Sequence, residues 1–157
     1  MGAEMRAYLQ QTWHRIQERI PGTRFNFDFW SQCEPRRSTW PACRAVVAAR
    51  RCDPAGEEAM ILAIQQAYYL QARNPSDQET LVALAGEIGL DQARFHKLMV
   101  DPRTQAQFEQ EMRRAHRMDA DSFPSLRLQV GEHTWPVAVD YGDATPMLDD
   151  IEQLLNG

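Results

Sequence analysis

The sequence predicts a helix-dominated α/β chain that closes with a β-hairpin and a final helix. Apolar residues recur at helical spacing over most of residues 1–120. From Ser122 onward the period changes to two, because the apolar side chains of 126–130 alternate with polar ones, and this alternation indicates a half-buried strand. Gly131 then begins a turn into a second strand, and Thr145 begins the last helix.

Capping residues, glycines and prolines set the predicted ends of the helices. We predict that helices start at Ser38 or Thr39, at Pro54, at Asp91 and at Asp101–Pro102, and that Ser76 and Glu79 form a capping box at another start. We predict that helices end at Pro21–Gly22, at Asn74–Pro75 and at Gly89, which would be left-handed. The aromatic residues of 25–30 form either a short helix or an extended link. The last helix is expected to face inward with its apolar residues Leu148, Ile151, Leu154 and Leu155.

The predicted hairpin leaves one strand without a neighbour. Pro136 has no N–H to give to a ladder, so the second strand is expected at an edge. A two-stranded ribbon is marginal by itself in water, so the strand 126–130 needs a neighbour on its other side. That neighbour is missing from this chain, supplied by a second chain, or replaced by a helix.

Charge and hydropathy exclude several function classes. The net charge of -5 argues against general nucleic-acid binding, which needs a basic surface. No apolar run is long enough to span a bilayer, and the first residues lack the basic and apolar regions of a secretory signal. We therefore expect a soluble, cytoplasmic protein with neither a nucleic acid nor a membrane as its partner.

The cysteines and histidines give no sign of a disulfide framework or a metal site. There are three cysteines, and an odd count does not suggest a set of structural disulfides. No two cysteines or histidines stand at the close spacing of structural zinc ligands, so we expect no bound metal.

Four stretches resemble the cytosolic DsbA-like proteins of the thioredoxin superfamily, which are classed as protein-disulfide isomerases. They are residues 37–46 (RSTWPACRAV), 63–70 (AIQQAYYL), 84–90 (LAGEIGL) and 122–130 (SFPSLRLQV). The resemblance implies a thioredoxin-like fold of the DsbA type. Residues 1–120 would be its helical insertion and 121–157 its C-terminal ββα part, together in a single compact domain.

The sequence departs from that family at its redox centre. Family members begin with a strand, a helix carrying Cys-X-X-Cys and a second strand, and this sequence has no counterpart of that unit. The resemblance implies thiol–disulfide oxidoreduction or isomerisation, but we expect this chain alone to be inactive in it and to carry no catalytic residue. A truncated gene product, a misassigned start and a variant without redox function are the explanations left open.

Phe123, Pro124 and Ser125 are the predicted substrate-binding residues. By the resemblance, Phe123 and Pro124 are joined by a cis peptide bond, and Phe123 offers its backbone to an extended peptide or thiol substrate. An ordinary trans proline at a strand entry is the alternative. A second hypothesis is a non-enzymatic module in which the edge of 125–130 pairs with a peptide or with another copy of the chain, giving a homo-oligomer.

Two other groups are weaker candidates. Cys43 lies near a predicted helix start, which favours a thiolate, and Cys33 lies ten residues before it; the alternative is a pair of half-buried apolar cysteines. Arg36 and Arg37 precede the same helix and would favour an anion such as glutathione or a substrate carboxylate; the alternative is a solvated helix face. No other cofactor is expected. The kappa-class glutathione transferases, which share the helical insertion, provide a third interpretation.

Overall fold

The computed structural model describes residues 1–36 and 38–156, and within them it has eight helices and one two-stranded hairpin. The helices are α1 (Ala3–Arg19), α2 (Phe29–Gln32), α3 (Trp40–Cys52), α4 (Gly56–Tyr69), α5 (Gln78–Glu87), α6 (Gln92–Met99), α7 (Pro102–Arg117) and α8 (Thr145–Asn156); the strands are β1 (Leu126–Val130) and β2 (His133–Val137). The predicted helix-dominated fold, closed by a hairpin and a last helix, is confirmed. In the described part of the chain, no strand precedes β1.

The chain forms two compact units, with the boundary inside α7. The first comprises Met1–Phe108 and the second begins at Glu109. We call them the helical unit and the hairpin unit. The predicted division at residue 120, and the grouping of both parts into one domain, stay predictions.

The main core of the helical unit is built by α3, α4, α5 and α6. Ala45, Ala48 and Ala49 give α3 a fully buried face without bulk, and α4 packs closely on it. Gly56 opens α4 at this contact: a Cβ at that position would lie 2.9 Å from the carbonyl oxygen of Ala49. Larger buried side chains from the other helices then fill the space around the alanine face, among them Met60, Leu81, Leu84 and Phe95.

A second, aromatic core holds α1 in the helical unit. Trp13 is buried against Phe29, Trp30 and neighbouring rings, and it stacks on Phe25 with the ring centroids 4.8 Å apart. Of the two conformations open for residues 25–30, the structure has the short helix α2 at Phe29 and Trp30, and residues 27–28 precede it as a turn. Arg6 adds a hydrogen bond of 2.6 Å from its guanidinium to the carbonyl oxygen of Cys33.

Most predicted helix ends are where the capping residues place them. Asp91 accepts a hydrogen bond of 2.8 Å from the amide of Arg94, and Gly89 has a φ of +85° at the end of α5. The capping box of Ser76 with Glu79 is wrong. Asp77 occupies the N-cap position of α5 without a side-chain capping bond, and the amide of Ser76 is bonded to the side chain of Asn74 at 3.1 Å instead of to Glu79.

The hairpin unit contains the two antiparallel strands and α8. Leu126 pairs with Val137 and Val130 pairs with His133, so the connecting turn has two residues. Gly131 takes the first turn position with a φ of +61°, which glycine allows without strain. As predicted, the strand containing Pro136 is an edge strand.

The predicted inward face of α8 is wrong at Leu148 and Leu155, whereas Ile151 and Leu154 are partly buried. No residue of α8 is fully buried, and Leu148 and Leu155 are each 57% exposed. Among the strands, the helix packs mainly on β2, and a single strand is too narrow to cover a whole helix face. The helical spacing of these leucines therefore predicted the helix correctly but not the burial of its apolar face.

Candidate functional site

The residues predicted to bind substrate lie in a loop between α7 and β1. The Phe123–Pro124 peptide bond is cis, as the resemblance implies. Ser125 fixes the loop, because its hydroxyl donates a hydrogen bond to the carbonyl oxygen of Ser122 and the two hydroxyl oxygens lie 3.2 Å apart. The Phe123 side chain is 95% exposed. We call residues 122–125 the Ser-Phe-Pro-Ser loop.

Two side chains tie the segment before this loop to its surroundings. The Nδ1 atom of His116, in the last turn of α7, lies 2.8 Å from Oδ1 of Asp121. The hydrogen bond that the protonated His116 ring donates to Asp121 raises the pKa of His116, and the negative charge of Asp121 acts in the same direction. Arg127 of β1 donates a hydrogen bond to the carbonyl oxygen of Asp119. The loop is therefore held from both sides, while its aromatic residue stays in solvent.

The strand β1 has a free edge beside the loop. In an antiparallel ladder the residues alternate between pairs that bond across the strands and pairs whose N–H and C=O groups point away. A two-residue turn closes on a pair of residues that exchange both hydrogen bonds, which here are Val130 and His133. By alternation, Leu128 and Leu126 also bond to β2, whereas Arg127 and Gln129 direct their backbone groups outward. No other strand of the described residues pairs with this edge. We call it the β1 outer edge.

The two outer edges of the hairpin are not equivalent. Pro136 stands opposite Arg127, so the N–H that would point outward from β2 at that position does not exist. The β1 outer edge keeps both of its outward N–H groups. An added strand therefore finds a complete set of donors and acceptors beside β1 and an interrupted one beside β2.

A cavity in the hairpin unit lies beside the predicted substrate-binding residues. It has a volume of about 250 Å³ and opens at the end of the hairpin, next to the loop. It is lined by Pro124, Ser125, Leu126, Arg127, Pro136, Val137, Val139 and Tyr141. This volume is below the range of about 300–1,000 Å³ typical of pockets for whole small molecules, and it suits one side chain.

Two aspartates frame the segment that completes this cavity. Asp140 accepts hydrogen bonds from the amides of Gly142 (2.7 Å) and Asp143 (2.9 Å), and Asp143 accepts one from the amide of Thr145 (2.9 Å). These backbone N–H groups lower the pKa of both carboxyls. Sequence reasoning missed this segment, although Asp-X-Gly-Asp is a pattern typical of side-chain-capped turns.

The three cysteines are free thiols, and none has the environment of an activated nucleophile. Burial raises the pKa of Cys33, Cys43 and Cys52. The Cys33 thiol donates to the carbonyl oxygen of Ala72 at 3.1 Å. A thiol that exchanges disulfides needs a lowered pKa and access, so burial works against this chemistry at all three sites. The assignment of Cys33 and Cys43 as redox thiols stays a prediction without geometric support.

Arg36 lies at the rim of a cavity of about 350 Å³ in the helical unit. Aromatic and hydroxyl side chains line this cavity, among them Phe29, Tyr68, Tyr69, Ser38 and Thr39. Burial raises the pKa of Tyr68 to about 12. Arg36 is already paired with Asp77 at 2.9 Å, which offsets its charge for an incoming anion. Arg37, the other predicted anion-binding residue, lies outside the described residues.

The described residues contain neither a candidate metal site nor a candidate membrane span. No group of three or more histidine, cysteine or acidic side chains is placed to hold a metal ion. No helix in residues 1–36 and 38–156 is long and apolar enough to cross a membrane.

Comparisons with solved structures identify the class of fold. No protein-family model and no curated protein matches the chain. A candidate protein disulfide isomerase from Nitrosomonas europaea superposes with a TM-score of 0.86 at 22% identity, covering 99% of this chain and 76% of that one. The chain therefore has the DsbA-type thioredoxin-like fold, as its sequence predicts.

Two structures of one cytosolic disulfide reductase are also similar to the chain. The cytosolic disulfide reductase DsbM from Pseudomonas aeruginosa superposes with a TM-score of 0.72 at 25% identity, covering 99% of this chain and 77% of its own. The structure of DsbM with GSH gives a TM-score of 0.69 at 26% identity, with 99% and 76% covered. The chain is therefore similar in structure to a cytosolic disulfide reductase. About a quarter of each relative has no counterpart here.

Proposed function

We propose that this chain binds an extended peptide or thiol substrate of a DsbA-type system, and that it does so without exchanging disulfides itself. The observation that carries the proposal is the β1 outer edge, which offers the outward backbone groups of Arg127 and Gln129 beside the Ser-Phe-Pro-Ser loop. An extended peptide that adds to such an edge gains main-chain hydrogen bonds, and the pockets beside it select its side chains.

The side chains around the edge support peptide binding. Phe123 is nearly fully exposed, so it can contact the incoming chain without a rearrangement of the core. Side chains of a bound strand point alternately to the two faces, and the cavity of about 250 Å³ lies within reach of this end of the hairpin. We assign peptide binding to Phe123, Pro124 and Ser125, as the resemblance implies, and add Val139 and Tyr141 because they line the same cavity.

The three cysteines support the proposal that this chain does not exchange disulfides. Exchange needs a thiolate nucleophile and a second thiol that resolves the mixed disulfide. Burial raises the pKa of each of the three cysteines, and none of them forms a disulfide within the described residues. DsbM, to which the chain is similar, is a cytosolic disulfide reductase. By this likeness we propose a cytoplasmic location and a thiol–disulfide system for this chain.

Peptide titration of an edge variant tests the binding role. Gln129→Pro removes one outward N–H of β1 without removing a bond to β2, whereas Gln129→Ala keeps that N–H. We expect a labelled extended peptide to bind the wild type and Gln129→Ala alike, and to bind Gln129→Pro at least about tenfold more weakly, since a lost buried hydrogen bond costs about 1–3 kcal/mol. Equal affinity for both variants, with unchanged circular dichroism, would contradict edge binding.

Insulin reduction tests the proposed lack of exchange. With glutathione as reductant, we expect this chain to give the same rate as glutathione alone, because no activated thiol is present. A variant in which Cys33, Cys43 and Cys52 are all serine is the control. Turnover by the wild type that this variant loses would show that the cysteines exchange disulfides.

Self-association is the second candidate function, and it uses the same edge. The exposed leucines Leu148 and Leu155 of α8 favour it, because an uncovered apolar helix face is typical of a surface that meets a partner. Light scattering on the purified chain measures its mass in solution. A dimer that Gln129→Pro converts to a monomer would support strand pairing between copies.

A further inference from the structure

The negative charge of the chain is concentrated in the hairpin unit. From Glu109 to the end, the sequence has ten carboxylates and four arginines, a net charge of -6. Residues 1–108 have twelve carboxylates and thirteen basic side chains, a net charge of +1, and the two values together give the -5 of the whole chain. A partner of the hairpin unit therefore meets a strongly acidic surface although the helical unit is close to neutral.

Four carboxylates of this unit flank the open end of the hairpin, where Leu126 pairs with Val137. Asp119 and Asp121 precede the Ser-Phe-Pro-Ser loop, and Asp140 and Asp143 frame the segment that lines the cavity. His116 pairs with Asp121, and Arg127 is engaged with the carbonyl oxygen of Asp119. From 119 to 143 the chain has five carboxylates and one arginine, so these contacts leave the segment acidic.

Asp140 and Asp143 are fixed in place by the backbone rather than by cations. Their side chains accept hydrogen bonds from amides of the same turn, and neither carboxylate forms an ion pair with another of the described residues. The same N–H groups lower the pKa of both, which keeps them ionised at neutral pH. Their charge is consequently available to a ligand that occupies the neighbouring cavity.

From this arrangement we infer that the β1 outer edge takes a basic, extended peptide, with lysine or arginine next to an apolar residue. The inference rests on the proposed function and names the class of its substrate. One apolar side chain of the peptide enters the cavity beside Tyr141, and a neighbouring cationic side chain lies near Asp140 and Asp143. Alternating side chains on an added strand place these two groups on opposite faces.

The same charges disfavour a second copy of the chain as the occupant. Two hairpin units paired along β1 would bring together two surfaces of -6 each. Like charges brought together across an interface suppress the wrong partner, and opposite charges steer the right one. A basic peptide gains from the field that repels the second copy.

Matched peptides test the inference. Two extended peptides are compared that differ only in charge, one alternating valine with lysine and one alternating valine with glutamate, each labelled for fluorescence anisotropy. We expect the lysine peptide to bind at least about tenfold more tightly at low salt, and its affinity to fall as salt is added. Equal binding of both peptides would overturn the inference while leaving the proposed function standing.

A variant without the charges of Asp140 and Asp143 tests whether these two residues attract the lysine peptide. Asp140→Asn with Asp143→Asn removes two charges but keeps oxygens that accept the backbone N–H groups, so the turn is retained. We expect this variant to bind the lysine peptide about threefold to tenfold more weakly than the wild type, which corresponds to the loss of two exposed charge pairs. Asp149→Asn with Asp150→Asn in α8 gives the same change in net charge away from the cavity and is expected to lose less.

The outcomes separate the two proposals. An equal loss in both double variants would overturn the location beside the cavity and leave only a general effect of net charge. Failure of both peptides to bind the wild type, with Gln129→Pro behaving like Gln129→Ala, would instead overturn the proposed function. Dimers seen by light scattering at low salt would contradict the argument against a second copy.

Discussion

The two units of this chain differ in how far their apolar residues are buried. The helical unit encloses large side chains such as Phe29, Met60, Leu81 and Phe95 completely. In the hairpin unit, Val137 is the one apolar residue of the described set that is almost fully buried, while Phe123 and others stay in solvent. The closed core indicates that the helical unit contributes most of the stability. The exposed apolar residues make the hairpin unit the surface that is available to a partner.

The difference also follows from geometry. Four helices can surround a common core, because each buries one apolar face on its neighbours. A two-stranded ribbon with one helix has two sheet edges and little depth, so some apolar residues must remain exposed whatever their sequence pattern. The exposure of Leu148 and Leu155 is thus a consequence of how few elements surround α8.

The largest expected effect comes from the enclosed core. Leu81→Ala removes a fully buried side chain from the helical unit and is expected to lower the free energy of unfolding by about 2–5 kcal/mol, because it leaves a cavity. Leu148→Ala removes the same atoms from an exposed position, and we expect a change within about 0.5 kcal/mol. Urea denaturation followed by circular dichroism measures both, and similar losses would remove the contrast between the units.

A helix cap gives an intermediate effect. Asp91→Ala removes the oxygen that accepts the amide of Arg94 and is expected to cost about 1 kcal/mol of stability in the helical unit. Asp91→Asn keeps an oxygen at the same place and should stay within a few tenths of a kcal/mol of the wild type. If the two variants are equally destabilised, the carboxylate charge and not the capping bond is what matters.

The smallest expected effect concerns His116, on the surface of the hairpin unit. Asp121 raises its pKa, so the ion pair stabilises the fold fully below the ordinary histidine pKa of about 6.5 and is lost as the pH rises through the raised value. NMR titration of the His116 ring measures this pKa directly. Asp121→Asn should lower it toward the ordinary value, and an unchanged titration would show that the pair does not form in solution.

The sequence was informative where local rules decide the structure. Periodicity predicted the helices and the hairpin, Asp91 and Gly89 predicted helix ends, and the resemblance around Phe123 predicted the DsbA-type fold. Local reasoning failed at Ser76, because Asn74 competes for its amide through a side chain that also reaches the carbonyl oxygen of Glu34, forty residues away in sequence. Contacts of that range leave no periodic signal.

The candidate site was predicted only in part, for the same reason. Phe123, Pro124 and Ser125 are adjacent in sequence and belong to one short motif. Val139 and Tyr141 reach the same cavity because the hairpin folds back on itself, so their role depends on the strand register rather than on any motif. The turn of Asp140 carried a recognisable pattern, but the pattern predicts a turn and not its neighbours.

Amide hydrogen exchange on the hairpin tests the central claim most directly, because it reports each backbone N–H of β1 separately. The account predicts that the amides of Arg127 and Gln129, which point outward, exchange faster than the amide of Leu128, which bonds to β2. A bound basic peptide should then slow the two outward amides selectively. Equal protection of all three in the free chain, or no change on adding peptide, would contradict an open edge that receives a strand.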